Sequence, residues 1–196
     1  MGNSVRDMET QEAGQLLVYW QSLQSDRQVP PRREDFDPAA IKDILPLILL
    51  LERTRPDYLE IRLMGMRAQN RMGGNYTGED FIGLFKPALR PSRRAIFDAV
   101  IDRPAILHFT NTVGMRSGAT IPSEGLFMPL RRDGEVRQIV GLNVRRQPLD
   151  YRERLREDDP VVDVSERGRY SMIDLDGQIR QFDADRTDVA DILTPI

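Results

Sequence analysis

Residues 63–80, LMGMRAQNRMGGNYTGED, hold four glycines in the fourteen positions from Gly65 to Gly78. Such a stretch either cradles a phosphate or ends short helices around a small pocket. A phosphate loop needs G-x-x-x-x-G-K-[ST] between a strand and a helix, and no Gly-Lys-Ser/Thr occurs here. A dinucleotide fingerprint needs G-x-G-x-x-G opening the helix of a βαβ unit, and Gly73, Gly74 and Gly78 are spaced otherwise. The stretch is therefore expected to have Gly65 end a strand and the other glycines punctuate short helices, where left-handed backbone favours glycine.

The flanks say what those helices separate. Before the stretch, PLILLLER has the length and composition of a buried strand. YLEIRLMG alternates, with Leu59, Ile61 and Leu63 on one face and Glu60 and Arg62 on the other. The turn at Pro56-Asp57 joins them as an antiparallel hairpin. After the stretch, PSRRAIFDAVIDRP reads as a helix with Ser92 as its cap and Ile96, Phe97, Val100 and Ile101 in one stripe. Three strand segments follow: PAILHFTNTVG, IPSEGLFMPLRRDG and EVRQIVGLNVRR. Asp133-Gly134 between the last two is a strong hairpin signal. Strands grouped on either side of a helical block predict an α+β design, an antiparallel sheet with helices on one face. A doubly wound parallel sheet does not fit, since alternating βαβ units are absent.

The ends are less regular. Residues 10–24 form an amphipathic helix by the spacing of Ala13, Leu16, Leu17, Trp20 and Leu23. SDRQVPPRRED is a linker. DFDPAAIKDIL is a short helix with Asp37 as N-cap and Pro38 at the first position, where its missing N–H costs nothing. Beyond residue 147 the chain turns polar and acidic. YRERLREDDPVVD reads as a fraying half-helix, and RYSMIDLDGQIRQFD as a small hairpin about Asp176-Gly177. The expected division is 1–34 as N-terminal helix and linker, 35–146 as core, and 147–196 as an acidic C-terminal extension.

Composition excludes several functions. The 196 residues carry a net charge of −3, with 30% charged and 40% hydrophobic residues, which suits a globular chain with a sizeable core. A pI near 5.3 and short scattered arginine pairs argue against a nucleic-acid partner. No cysteine is present, which removes disulfides, thiol catalysis and cysteine-based metal sites. The N-terminus has no apolar signal segment, position 6 is Arg rather than the Ser or Thr of a myristoylation motif, and no run is long enough to span a bilayer. A cytoplasmic location without membrane insertion is expected.

No catalytic set assembles. The single histidine, His108, lies in AILHFTNTV on the face opposite Leu107 and Phe109. It cannot form a multi-histidine metal site, and an ordinary half-exposed strand residue is the favoured reading over a haem ligand. There is no G-x-S-x-G elbow, and the pairs Glu79-Asp80 and Asp158-Asp159 read as solvated turns. DDPVVD lacks the ligand spacing of a calcium loop. We expect no enzyme and no metal site.

Three motifs together carry a family likeness: VYWQSLQSDRQVPPRREDFDPAAIKDILPLILLLE, YLEIRLMGMRAQNRMGGNYTGEDFIGLF and FMPLRRDGEVRQIVGL. From about residue 17 to 146 the chain resembles the PAS domain, and within it the stand-alone bacterial PAS-like proteins that lack a fused output domain. The resemblance implies a five-stranded antiparallel sheet with a helical block between strands 2 and 3, enclosing a small pocket. It also implies a sensory or protein-contact role. Flavin photoadduct and thioester-chromophore receptors of this family need a cysteine and are excluded; haem through His108 is disfavoured, because the histidine is on a strand.

The expected pocket residues are Met64, Arg67, Asn70, Tyr76, Phe81, Phe97, Ile101, His108, Phe127 and Asn143, an apolar wall with a few polar groups. A core filled by its own side chains is the equal alternative. Leu16, Leu17 and Trp20 are the expected dimer interface, since aromatic anchors are enriched at such surfaces. The expected function is a stand-alone regulatory module of bacterial signal transduction, a homodimer acting through protein–protein contacts with an unidentified signalling protein. The alternative is a small-molecule sensor that binds a metabolite in the cavity.

Overall fold

Two-residue alternation along residues 105–145 sets up the centre of the molecule. In the computed structural model, which describes residues 8–26, 29–146 and 159–182 (163–167 as backbone only), these residues form three long strands. They are β3 (Ala105–Met115), β4 (Thr120–Arg132) and β5 (Glu135–Arg145). The hairpin β1 (Leu49–Arg55) and β2 (Tyr58–Met64) lies beside β5. β6 (Val161–Asp174) and β7 (Ile179–Phe182) lie beside β3. The result is one seven-stranded sheet in the order β2-β1-β5-β4-β3-β6-β7, antiparallel throughout.

The α+β class and the helical block between β2 and β3 agree with the sequence reading, but the sheet has seven strands rather than five. The two extra strands come from the segment read as an acidic extension. β6 pairs along β3 from Ala105↔Asp174 to Met115↔Val161, so residues 159–182 complete the main sheet. The hairpin about Asp176-Gly177 is present, with Ile173 opposite Ile179. Residues 1–7, 147–158 and 183–196 lie outside the described residues. So does most of the half-helix expected at YRERLREDDPVVD.

Helices cover both faces of the sheet. α1 (Gln11–Ser22) begins at Thr10, whose side chain accepts from Ala13 N–H, and buries Ala13, Leu16, Leu17 and Trp20. These side chains meet Leu126, Met128, Val140, Leu142 and Ile173 on one face of the sheet. The helical block covers the other face. There α2 (Met66–Met72), two single 3₁₀ turns and α3 (Arg90–Asp102) pack on Leu49, Leu107, Phe127 and Ile139. With both faces covered, β4 is buried continuously from Ser123 to Leu130, which is why its sequence shows little alternation.

Local signals behave as read in most places. Asp37 accepts from Ala39 N–H at 2.9 Å and Pro38 opens a 3₁₀ turn. Asp133 and Gly134, with φ of 54° and 85°, form the two-residue turn between β4 and β5. Gly65 follows the last residue of β2, Gly73 ends α2 at φ 81°, and Gly78 has φ 92°. The cap of α3 differs: the helix starts at Arg90, and Ser92 donates its hydroxyl back to Leu89 C=O instead of capping. Pro91 suits this start, because a residue in the first turn has no intrahelical acceptor for its N–H and a proline there leaves none unsatisfied. No described helix is long and apolar enough to cross a membrane.

A candidate ligand cavity between the helical block and the sheet

The sheet face under α2 and α3 is paved by rings lying over glycines. Phe109 on β3 stands opposite Gly125, and Phe127 on β4 stands opposite Gly141. A Cβ on Gly125 would sit 2.1 Å from the Phe109 ring, and one on Gly141 2.3 Å from Phe127. The missing side chains let both rings lie flat, stacked 6.1 Å apart at 7°. Tyr170 of β6 continues the row, 5.0 Å from Phe109. Phe97 and Phe81 then meet Phe127 from the helical side, Phe97 edge-on at 5.1 Å.

Above this floor the helices leave a cavity of about 270 Å³, whose walls include Ala68, Met72, Ile96, Leu107 and Val161. One end is polar. Arg71 Nη2 donates to Asn143 Oδ1 at 2.9 Å, and Ser123 Oγ lies 2.9 Å from that same oxygen and 3.1 Å from Asn111 Oδ1. A hydroxyl has one proton, and a guanidinium only donates. Asn143 must therefore present its oxygen to both Arg71 and Ser123. Ser123 can then only accept from Asn111, which turns the Asn111 amide so that its NH₂ meets the serine. The row Arg71–Asn143–Ser123–Asn111 is thus ordered in one direction across α2, β5, β4 and β3.

The charged side chains of the lining are all of one sign among the described residues. Arg71, Lys86 and Arg93 line the cavity, and no acidic side chain among the described residues does. Arg93 is buried and its guanidinium lies 5.3 Å over the Tyr170 ring. Burial, and secondarily the charge of Arg145, push Arg71 down to about 10, so it stays protonated at neutral pH.

Five of the expected pocket residues meet here: Tyr76, Phe81, Phe97, Phe127 and Asn143. The other five do not. Met64 and Ile101 are buried in the surrounding core without lining the cavity. Arg67 and Asn70 are exposed, because α2 turns Ala68, Arg71 and Met72 inward and these two outward. His108 lies on the opposite sheet face, 2.8 Å from Glu124 Oε1, as strand alternation requires; it is unavailable to iron in this cavity. The expected interface also needs correction. Leu16 and Leu17 are 0% and Trp20 1% exposed against the chain's own sheet, and Trp20 donates to Pro129 C=O at 2.9 Å, so a second subunit cannot reach them.

Several lining residues were missed. Phe109 and Asn111 share the face of Leu107 and were legible from alternation alone. Arg71 and Arg93 follow from the helical phase of Ala68 and Ile96, once the helix starts are known. Tyr170 and Val161 carry no local signal, since the fold alone brings β6 beside β3.

The sequence model described as PAS domain matches residues 8–144. No curated protein matches. Among solved structures, the PAS domain of an HTR-like protein from Haloarcula marismortui is 14% identical, with 55% of this chain and 89% of that one covered at a TM-score of 0.37. The light state of the blue-light photoreceptor Aureochrome1 LOV is 16% identical over 59% and 91% of the two chains, TM-score 0.36. A fungal LOV domain photoreceptor is 13% identical over 73% and 97%, TM-score 0.38.

Proposed function

This chain belongs to the PAS domain family, a family of signalling and sensory modules, and from that premise we propose that it senses a small molecule held in the cavity between α2, α3 and the sheet. The observation that carries the reading is the cavity itself. Its apolar walls and few placed polar groups are the usual make-up of a ligand site, at a volume just under the usual range of about 300–1,000 Å³. A core filled by its own side chains would leave neither the space nor a half-buried arginine that, among the described residues, bonds only to an amide. In this reading occupancy is the signal, and it passes to another signalling protein through surface contacts of a homodimer.

The size favours a compact metabolite over a large planar cofactor. Native mass spectrometry of the purified protein tests the proposal: a mass above that of the polypeptide, lost on denaturation, is expected. Ala68→Phe, which fills the cavity from α2, should abolish the added mass while the far-ultraviolet circular dichroism stays unchanged. A wild-type protein that carries no molecule and takes up none overturns the sensing role and leaves the protein-contact role alone.

A further inference from the structure

We propose that the ligand is a small carboxylic acid with an aromatic or branched apolar body, its carboxylate on Arg71 and its body against Phe81, Phe97 and Phe127. The inference rests on the sensing role above and deepens it. Three observations carry it.

The first is the lining, which presents the Arg71 guanidinium and, among the described residues, no carboxylate. The second is the state of Arg71. Among the described residues it forms no ion pair, and its one hydrogen-bond partner is the neutral Asn143. A guanidinium carries five donors, and a charge taken out of water is costly until an anion faces it. Asn143, fixed by Ser123, orients the guanidinium without neutralising it. Arg145, also without an ion pair among the described residues, adds positive charge nearby and makes the position still more favourable for an anion. The third observation is the opposite end, where Phe81, Phe97 and Phe127 meet within 5.1–6.1 Å of one another and offer no polar atom.

A planar fork matches a carboxylate bidentately, and the apolar wall accepts a ring or branched chain but not a second charge. The cavity of about 270 Å³ limits the ligand to a compact molecule.

Isothermal titration and thermal shift with phenylacetate, its neutral isostere phenylacetamide and inorganic phosphate test the assignment on the full chain. Phenylacetate is expected to bind about tenfold or more tightly than phenylacetamide, as the loss of a charge-assisted hydrogen bond implies, and phosphate is expected not to compete. In Arg71→Gln the preference for the acid should vanish while binding of the amide persists, and Arg71→Lys should restore part of it. Amide binding equal to that of the acid, or an unchanged preference in Arg71→Gln, overturns the carboxylate assignment and leaves the cavity as a neutral-ligand site. Competition by phosphate overturns it in favour of a phosphorylated ligand. Absence of any binding, together with no co-purifying mass, overturns the sensing role as well.

Discussion

Glu124 shows how much one residue can organise. Its side chain is fully buried and accepts from Glu9 N–H at 2.9 Å, Thr10 N–H at 2.8 Å and Thr10 Oγ1 at 2.5 Å, with His108 Nε2 at 2.8 Å. As a carboxylate only accepts, the proton of that imidazole sits on Nε2. The start of α1 is thus tied to β3 and β4 by one side chain. Glu124→Ala strands these donors and should lower stability by about 3–5 kcal/mol in urea denaturation, the range for breaking a buried charged network; a loss under 1 kcal/mol would show that water serves equally well. Gly125→Ala acts by another route, driving a methyl into Phe109, and should cost about 1–3 kcal/mol. Arg71 has the opposite sign. Its folded pKa of about 10 lies below the ordinary guanidinium value, so from about pH 10 upward the unfolded chain holds a proton the folded one has released, and stability from this group rises with pH. Below that window the cost of the buried charge is fully present. Ligand-free Arg71→Gln should therefore be at least as stable at pH 7 as the parent. A clear loss in chemical denaturation would mean that the arginine is structural.

At the scale of elements, α1 is part of the core. Its stripe was plain in the spacing of Leu16, Leu17 and Trp20, but spacing gives only that a face is apolar, not what covers it. The structure decides for the chain's own sheet, and Trp20 also satisfies Pro129 C=O, a group on a strand whose proline has no N–H of its own. Trp20→Ala is expected to cost about 3–5 kcal/mol, read as a lowered melting temperature, with oligomeric state in gel filtration unaffected. A change of oligomeric state without a loss of stability would return this helix to an interface role. The helical block makes a similar point. Glycines told where α2 ends, whereas the phase that sends Arg71 inward and Arg67 outward depends on where the helix starts.

For the whole molecule, the segment beyond residue 146 changes most. β6 runs the length of β3, and Tyr170, Val161 and Val162 wall the cavity, so the sensory core and its extension share one sheet and one site. A chain ending at Arg146 would leave β3 as a long bare edge with a cavity open on one side. Such a truncation should aggregate in light scattering and lose ligand retention; a monomer with an unchanged melting temperature would make the extension an appendage.

Alternation and helical spacing, which are properties of neighbouring residues, determined the antiparallel α+β plan, the turn at Asp133-Gly134, the breaks at Gly65, Gly73 and Gly78, and five residues of the cavity wall. Contacts between residues far apart in the chain decided the rest: seven strands in place of five, α1 buried on its own sheet, His108 turned to Glu124, and Arg71 brought to Asn143. Local pattern fixes which side of an element is apolar. Only the closing of the sheet fixes which surfaces meet, because strand pairing and burial are settled between segments and leave no mark within either one.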